Sequence, residues 1–310
     1  MRPVRFSVLF LSVAGSLFGW STEGHRVVAL ITQSILQTSP AAVNLGHLLG
    51  SLSLAGISTC PDEVRELEGH QITALSPACA VVFPAPPLHT GPWHFVNIPV
   101  TGSSPTAAII RTACGTDCVL VQIDRFAAVL QQSNDQQARL QALSFLVHFV
   151  GDLHQPLHNA DRMRDAGGNA EVVTFQGQPL KLHGLWDRQI VTALNADPAL
   201  LAQDLAPEIQ AAKKESPGSP VMWASQAFQF AANQAYRGIP PPNGTTPVAV
   251  IGPKYEKAAL PVIRKQLARA GVRLAAVLQT ALHAPASLDG QPPQSGSGPP
   301  ISQPGASPLR

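Results

Sequence analysis

Two histidine-carboxylate pairs with the same spacing, His148 to Asp152 in HFVGD and His183 to Asp187 in HGLWD, constrain this 310-residue chain more than any other feature. On a helix, residues i and i+4 share a face, so each pair can direct an imidazole and a carboxylate at one cation. A single such pair is commonly no more than a surface hydrogen bond. Here the two flank HQPLH, which adds His154 and His158, and Pro156 turns the chain so that His158 approaches from another direction than the helix before it. Imidazole with carboxylate is a zinc-type ligand set. The fold therefore has to bring separate helix faces together.

Hydrophobic periodicity supplies the helices. Val27, Val28, Ile31, Ile35 and Leu36 recur at near-helical spacing behind Ser21 or Thr22, either of which can cap. The same period predicts helices over 119–130, 136–154, 186–194, 198–205, 221–236 and 254–283. Residues 57–102, rich in Pro, Ser, Thr and Gly, read as loops and short helices. A loop carries Gly167 and Gly168, and 171–186 allows one short β-hairpin. The expected fold class is all-α, a single multi-helix domain over 20–286. With 45% apolar and 13% charged residues the chain can bury a sizeable core, which excludes full disorder. Residues 287–310 are mostly Pro, Gly and Ser and read as a disordered tail.

Arg2 and Arg5 precede the apolar run 6–18, which has the length of a secretory h-region and is too short for a membrane span of ~20 residues. Residues 1–19 read as a signal peptide cleaved after Gly19, leaving a mature chain without a membrane span, secreted or periplasmic. Cys60, Cys79, Cys114 and Cys118 then form an even set bound for an oxidising compartment, with three possible pairings. Proximity suggests Cys60 with Cys79 and Cys114 with Cys118. Thiolate zinc sites need close CxxC-like pairs, which these are not. An Asn-x-Thr sequon at Asn243 is of use only where the source glycosylates.

The formal net charge of +2 is too weak a field for holding nucleic acid by phosphate neutralisation, and 5% aromatic content argues against a broad stacking platform. Bound cations would resolve this, because several divalent ions concentrate positive charge that the sequence itself does not show.

Six motifs in order, WSTEGH, PDEVR, WHFVNIP, HFVGDLHQPLH, AGGN and LHGLWD, resemble the S1/P1 nuclease family over Trp20 to about His283. The resemblance implies the all-helical fold of zinc-dependent phospholipase C and P1 nuclease, with three zinc ions in one cleft. By motif, the first zinc falls to Asp62, His94, His148 and Asp152, and the second to His158, His183 and Asp187. The third falls to the α-amino group and carbonyl oxygen of Trp20, freed by signal-peptide cleavage, with His25 and a bridging Asp152. Arg65 matches an arginine at the catalytic centre, beside Asp62. Asn97 stands where some members carry a water-orienting aspartate; an amide can orient water but cannot serve as a carboxylate base. Phe95 matches a base-stacking aromatic, and Ala166, Gly167 and Asn169 match the loop lining the same pocket. His154 fits a supporting or helix-end role, and His47, His70, His89 and His283 belong to no constellation.

The activity implied is hydrolysis of single-stranded DNA and RNA to 5'-phosphorylated nucleotides, with 3'-nucleotidase activity. No stable protein partner is implied, and a monomer is the default. Zinc-dependent phospholipase C shares the fold and most ligands, but its last ligand is typically glutamate; Asp187, Phe95 and the GGN loop favour the nuclease. A non-catalytic zinc-binding scaffold is the remaining alternative, against which the complete ligand set and Arg65 argue.

Overall fold

The computed structural model describes residues 20–241 and 247–283; the signal-peptide reading, the Asn243 sequon and the tail expected over 287–310 fall outside the described residues. The central element is the helix Gln136–His154, capped by Asp135, whose Oδ1 accepts the backbone N–H of Gln137 at 2.8 Å and of Ala138 at 3.3 Å. Every residue from Ala142 to His154 is buried, so this helix is enclosed on all sides. Around it pack Val119–Gln132, Thr22–Leu36 and the long C-terminal helix Pro253–His283. A helix this enclosed cannot leave its polar residues in water, so His148 and Asp152 have to be satisfied from within.

The Thr22–Leu36 helix lies against Pro253–His283, and the contact depends on Gly271, where an added Cβ would come within 2.4 Å of Ile31 Cγ2. Thr32 Oγ1 donates to the Gly271 carbonyl at 3.0 Å across the same seam. Absence of a side chain lets the two backbones approach closely enough for this bond.

The 57–102 stretch folds as expected, into the short helices Cys60–Glu68 and Pro77–Val82 and the 3₁₀ turn Gly91–His94 among loops. Disulfides join Cys60 to Cys79 and Cys114 to Cys118, the pairing suggested by proximity. The first fastens the helix that carries Asp62.

Several boundaries differ from the sequence reading. Helices Ala41–Leu49, Ala107–Cys114 and Ala206–Ala212 were not anticipated; each is nine residues or fewer, too short for a periodic signal to stand out. The hairpin forms from β1 (Val172–Phe175) and β2 (Gln178–Lys181), turned by Gln176 and Gly177 at φ 50° and 78°. It is not alone: β3 (Val250–Ile251) adds to β1 in parallel, giving the order β2-β1-β3. The helix expected to begin at Trp186 instead begins at Leu182 and passes through a π-turn, Leu185–Gln189, before Ile190–Leu194. The expected helix 221–236 is Pro220–Phe230 followed by a second π-turn, Ala231–Ala235. The protein is thus mostly helical with one small sheet.

Candidate metal centre

Several elements converge on the C-terminal half of the Gln136–His154 helix. His148 and Asp152 stand one turn apart on it, with His148 Nε2 3.1 Å from Asp152 Oδ2. His94, at the end of the Gly91–His94 turn, brings Nδ1 to 3.0 Å from His148 Nε2 and 2.9 Å from Asp152 Oδ2. Asp62, in the first turn of Cys60–Glu68, places Oδ1 3.5 Å from His148 Nε2 and 3.8 Å from His94 Nδ1. Donors bound about 2.0–2.1 Å from a tetrahedral zinc stand roughly 3.3 Å apart, so the His94, His148 and Asp152 atoms have the spacing of one coordination shell, with Asp62 beside it.

The second group forms where the chain turns out of the helix. His158, in the 3₁₀ turn Pro156–Asn159, and His183 face each other with their Nε2 atoms 3.2 Å apart, and Asp187 Oδ2 lies 3.2 Å from His183 Nε2. His183 and Asp187 span the entry to the π-turn, a distortion frequent at functional sites.

Whether a cation fits is decided by the protons. His148 Nδ1 donates to the Ser58 carbonyl at 2.9 Å, His158 Nδ1 to the His94 carbonyl at 2.7 Å and His183 Nδ1 to the Gly167 carbonyl at 2.6 Å. These backbone acceptors fix a proton on Nδ1 of each ring, so Nε2 is the nitrogen that can turn to a cation. The Nε2 atoms of His158 and His183 then face each other across 3.2 Å with Asp187 beside them, an arrangement that one cation can bridge. The donor set fits a zinc-type ion.

His25, on the first turn of Thr22–Leu36, completes the cluster: its Nε2 lies 3.3 Å from Asp152 Oδ1, its ring stacks on His148 at 3.9 Å, and its Nδ1 has no hydrogen-bond partner among the described residues. Gly151 makes room, because a Cβ there would meet His25 Nδ1 at 2.8 Å. Trp20 is fully buried beside it, and the Ser21 N–H donates to the Asp187 carbonyl at 3.0 Å, which sets the start of the described chain against the second group. Asp152 joins all of these, one oxygen toward His94 and His148 and the other toward His25 and, at 3.8 Å, His158.

Electrostatics point the same way. Burial opposes charge on His148, yet Asp152 and Asp62 raise its pKa to about 10. Burial likewise opposes charge on Asp152 and Asp62, but His148 holds both below the usual carboxylate range, helped by His158 at Asp152 and by Arg65 at Asp62. Asp187 is pushed well up by burial, with Asp152 and Asp62 adding repulsion that a hydrogen bond from Gln155 partly offsets. Burial lowers His94 to about 4. Three carboxylates in one buried site call for positive charge at its centre.

The other expected residues sit around this cluster. Arg65 Nη2 pairs with Asp62 Oδ1 at 3.0 Å. Phe95 and Asn97, both half-buried, lie on the segment after His94, which hydrogen-bonds alongside His158–Asp161 through Val96 N to His158 O at 2.8 Å and Asp161 N to Ile98 O at 2.8 Å. Ala166 is exposed, Gly167 is buried, and Asn169 Nδ2 donates back to the Ala166 carbonyl at 2.8 Å. His154 is not among the clustered donors: its Nδ1 bonds the Val150 carbonyl at 2.7 Å and its Nε2 accepts from Arg273 at 2.8 Å.

One residue escaped the sequence reading although it lies inside HQPLH. Gln155, fully buried, donates Nε2 to Asp187 Oδ1 and accepts the Leu157 N–H, so it fixes both a ligand carboxylate and the turn that delivers His158. A polar residue between two histidines at a helix end was the available signal.

A mostly helical scaffold with two linked His/Asp clusters that could each hold a cation is a candidate centre for metal-dependent hydrolysis. Residues 20–283 match the S1/P1 Nuclease family, and the chain belongs to it. It is 27% identical to Nuclease S1 of Aspergillus oryzae over 89% of this chain and 96% of that protein. It is 28% identical to Endonuclease 5 of Arabidopsis thaliana over 94% and 100%, and 27% identical to Nuclease P1 of Penicillium citrinum over 83% and 95%. The family is zinc-dependent. Among the described residues no single helix is long and apolar enough to cross a membrane.

Proposed function

We propose that the protein is a secreted, monomeric trizinc phosphodiesterase that hydrolyses single-stranded DNA and RNA to 5'-phosphorylated nucleotides and also removes 3'-phosphates. The opposed ring nitrogens of His158 and His183, linked through Asp152 to His94 and His148, carry the reading. Asp62, His94, His148 and Asp152 would hold one ion, His158, His183 and Asp187 a second, and His25, Asp152 and the freed N-terminus of Trp20 a third. When bound, zinc supplies Lewis-acid stabilisation of phosphate charge and brings the pKa of water toward ~7.

The protein's own groups do the rest. Arg65, paired with Asp62, offers phosphate oxygens a planar guanidinium that matches their geometry. Asn97 positions water by hydrogen bonding without accepting its proton. Phe95 offers a face to the base, and Asn169, whose amide is braced on Ala166, keeps its Oδ1 for the base edge. Gly167 lets the backbone approach this pocket closely. Phospholipase C activity is the second reading for this fold, disfavoured by aspartate rather than glutamate at position 187.

Digestion of single-stranded DNA by the secreted, processed protein, with and without a chelator and with end-group analysis, tests the proposal. Chelator-sensitive release of 5'-phosphorylated nucleotides supports it. No cleavage by fully zinc-loaded protein, with hydrolysis of phosphatidylcholine instead, would move the assignment to the phospholipase.

A further inference from the structure

Beside the candidate site the backbone is strained at two consecutive residues that are not glycine. Met163 and Arg164 have φ of 56° and 65°, and the Asp165 N–H closes the turn onto the Arg162 carbonyl at 3.2 Å. Two left-handed central residues are the signature of a type I′ turn, which sequences ordinarily build with Asn-Gly or Gly-Gly. Methionine and arginine gain nothing locally from this conformation, and strained residues of this kind persist only where their surroundings dictate it.

The surroundings do dictate it. Buried Asp165 accepts the Arg162 N–H at 2.9 Å and the Tyr236 hydroxyl at 3.1 Å. Arg162 donates Nε to Glu171 at 3.0 Å and its terminal nitrogens to the carbonyls of Ile239 and Pro240 at 2.7 and 2.8 Å, with its guanidinium 4.5 Å from the Tyr236 ring centroid. The Ala166 N–H bonds Asp161 Oδ1 at 3.1 Å. The turn is a rigid tip, and what it presents is Met163, 73% exposed, and Arg164, exposed and without a hydrogen-bond or ion-pair partner among the described residues.

Its place is equally fixed. The tip leaves Asp161, which pairs with Ile98 and Val100 on the segment carrying Phe95 and Asn97. Three residues beyond Arg164 comes Gly167, whose carbonyl holds His183, so the tip stands within about 11 Å of chain from that anchor.

We propose that the Met163–Arg164 tip is a second contact point for the substrate strand: Arg164 pairs with a backbone phosphate outside the scissile one, and the Met163 thioether lies against the neighbouring base. This rests on the nuclease reading above and deepens it, because it gives the site a preference for a chain over a dinucleotide. A flexible apolar thioether suits bases of any identity, and a guanidinium suits phosphate.

The test compares kcat/KM of the zinc-loaded protein on a long thymidylate oligomer and on a thymidylate dinucleotide, which has no phosphate beyond the scissile one. Arg164→Gln is expected to lower the oligomer-to-dinucleotide ratio about 3- to 10-fold through KM, and to reduce the salt slope of oligomer binding by about 0.7, the share of one phosphate contact on a single strand. Arg164→Lys restores the salt slope. The double change Met163→Gly with Arg164→Gly relieves the backbone, so Tm rises while the ratio falls; a merely structural turn would show the first effect without the second. Ratios and slopes matching the wild type in all three variants overturn this inference alone. A wild-type protein that cleaves neither substrate overturns the nuclease reading, and this inference with it.

Discussion

His183 donates its Nδ1–H to the carbonyl of Gly167 at 2.6 Å, so the loop that carries Gly167 orients this candidate ligand. Gly167 has φ 66°, and a Cβ there would meet the Leu157 carbonyl oxygen at 2.3 Å. Gly167→Ala therefore has to displace the loop, and the His183 ring loses its anchor. Partners that orient ligating histidines are worth about 10–100-fold in metal affinity. Zinc titration calorimetry on the variant is expected to show a loss of that size, with activity restored at high zinc; wild-type affinity would count against the anchoring role.

Gln155 acts on the neighbouring candidate ligand, donating to Asp187 while holding the Leu157 N–H. Burial pushes Asp187 well above the usual carboxylate range, and the Gln155 bond pulls it down. Gln155→Leu removes that bond, so Asp187 should rise further and be less ionised at a given pH. The signed expectation is a zinc affinity that falls more at pH 6 than at pH 8. A loss equal at both pH values would place the effect in packing rather than in ionisation. The Leu157 N–H, left unpaired in the interior, should add about 1–3 kcal/mol of destabilisation, read by denaturant unfolding.

The local parts of this protein were legible in its sequence and the non-local parts were not. His148, Asp152 and the HQPLH turn announce themselves because helix geometry alone places them on one face. His25, Asp62 and His94 carry no such signal singly; only the family resemblance gathered them, and the structure shows why, since each arrives on a different element. The β3 strand is two residues long and pairs in parallel with a strand more than seventy residues earlier, which no local pattern encodes. The strain at Met163 and Arg164 is also invisible in sequence, because neither residue favours the left-handed region it occupies.

Away from the metal centre, Arg264 binds Glu208 through two bonds, Nε to Oε1 at 2.6 Å and Nη2 to Oε2 at 2.9 Å, and so ties the C-terminal helix to Ala206–Ala212. The Arg264 hydrogen bond lowers the Glu208 pKa below its ordinary value of 4.5. A carboxylate depressed on folding stabilises the protein above its unfolded pKa, and that stability disappears as pH falls through the folded value. Glu208→Gln should cost about 0.5–1 kcal/mol at pH 7, the range for a partly exposed bidentate pair. The difference from wild type should shrink toward zero at an acid pH below the lowered folded value, where both chains carry a neutral side chain. Unfolding curves at the two pH values decide it, and a pH-independent gap would assign the effect to packing.

The seam between Thr22–Leu36 and Pro253–His283 allows a sharper test of packing, since it places His25 over the site. A Cβ at Gly271 would stand 2.4 Å from Ile31 Cγ2, 2.6 Å from Ile31 Cβ and 3.3 Å from the Val28 carbonyl oxygen, and there is no void to take it. Gly271→Ala gains helix propensity, about 1 kcal/mol in an unconstrained helix. Overpacking opposes this by about 1–3 kcal/mol, and the contact with a backbone oxygen leaves little room for relaxation, so the net expectation is destabilisation. Ile31→Ala in the same chain removes the Cγ2 contact at 2.4 Å but keeps the Cβ contact at 2.6 Å, so it should recover only part of the loss, giving a double-mutant coupling of about 0.5–3 kcal/mol. Additive effects in thermal or denaturant unfolding would mean that the two helices separate rather than press together, and His25 would then be expected to lose its place beside Asp152.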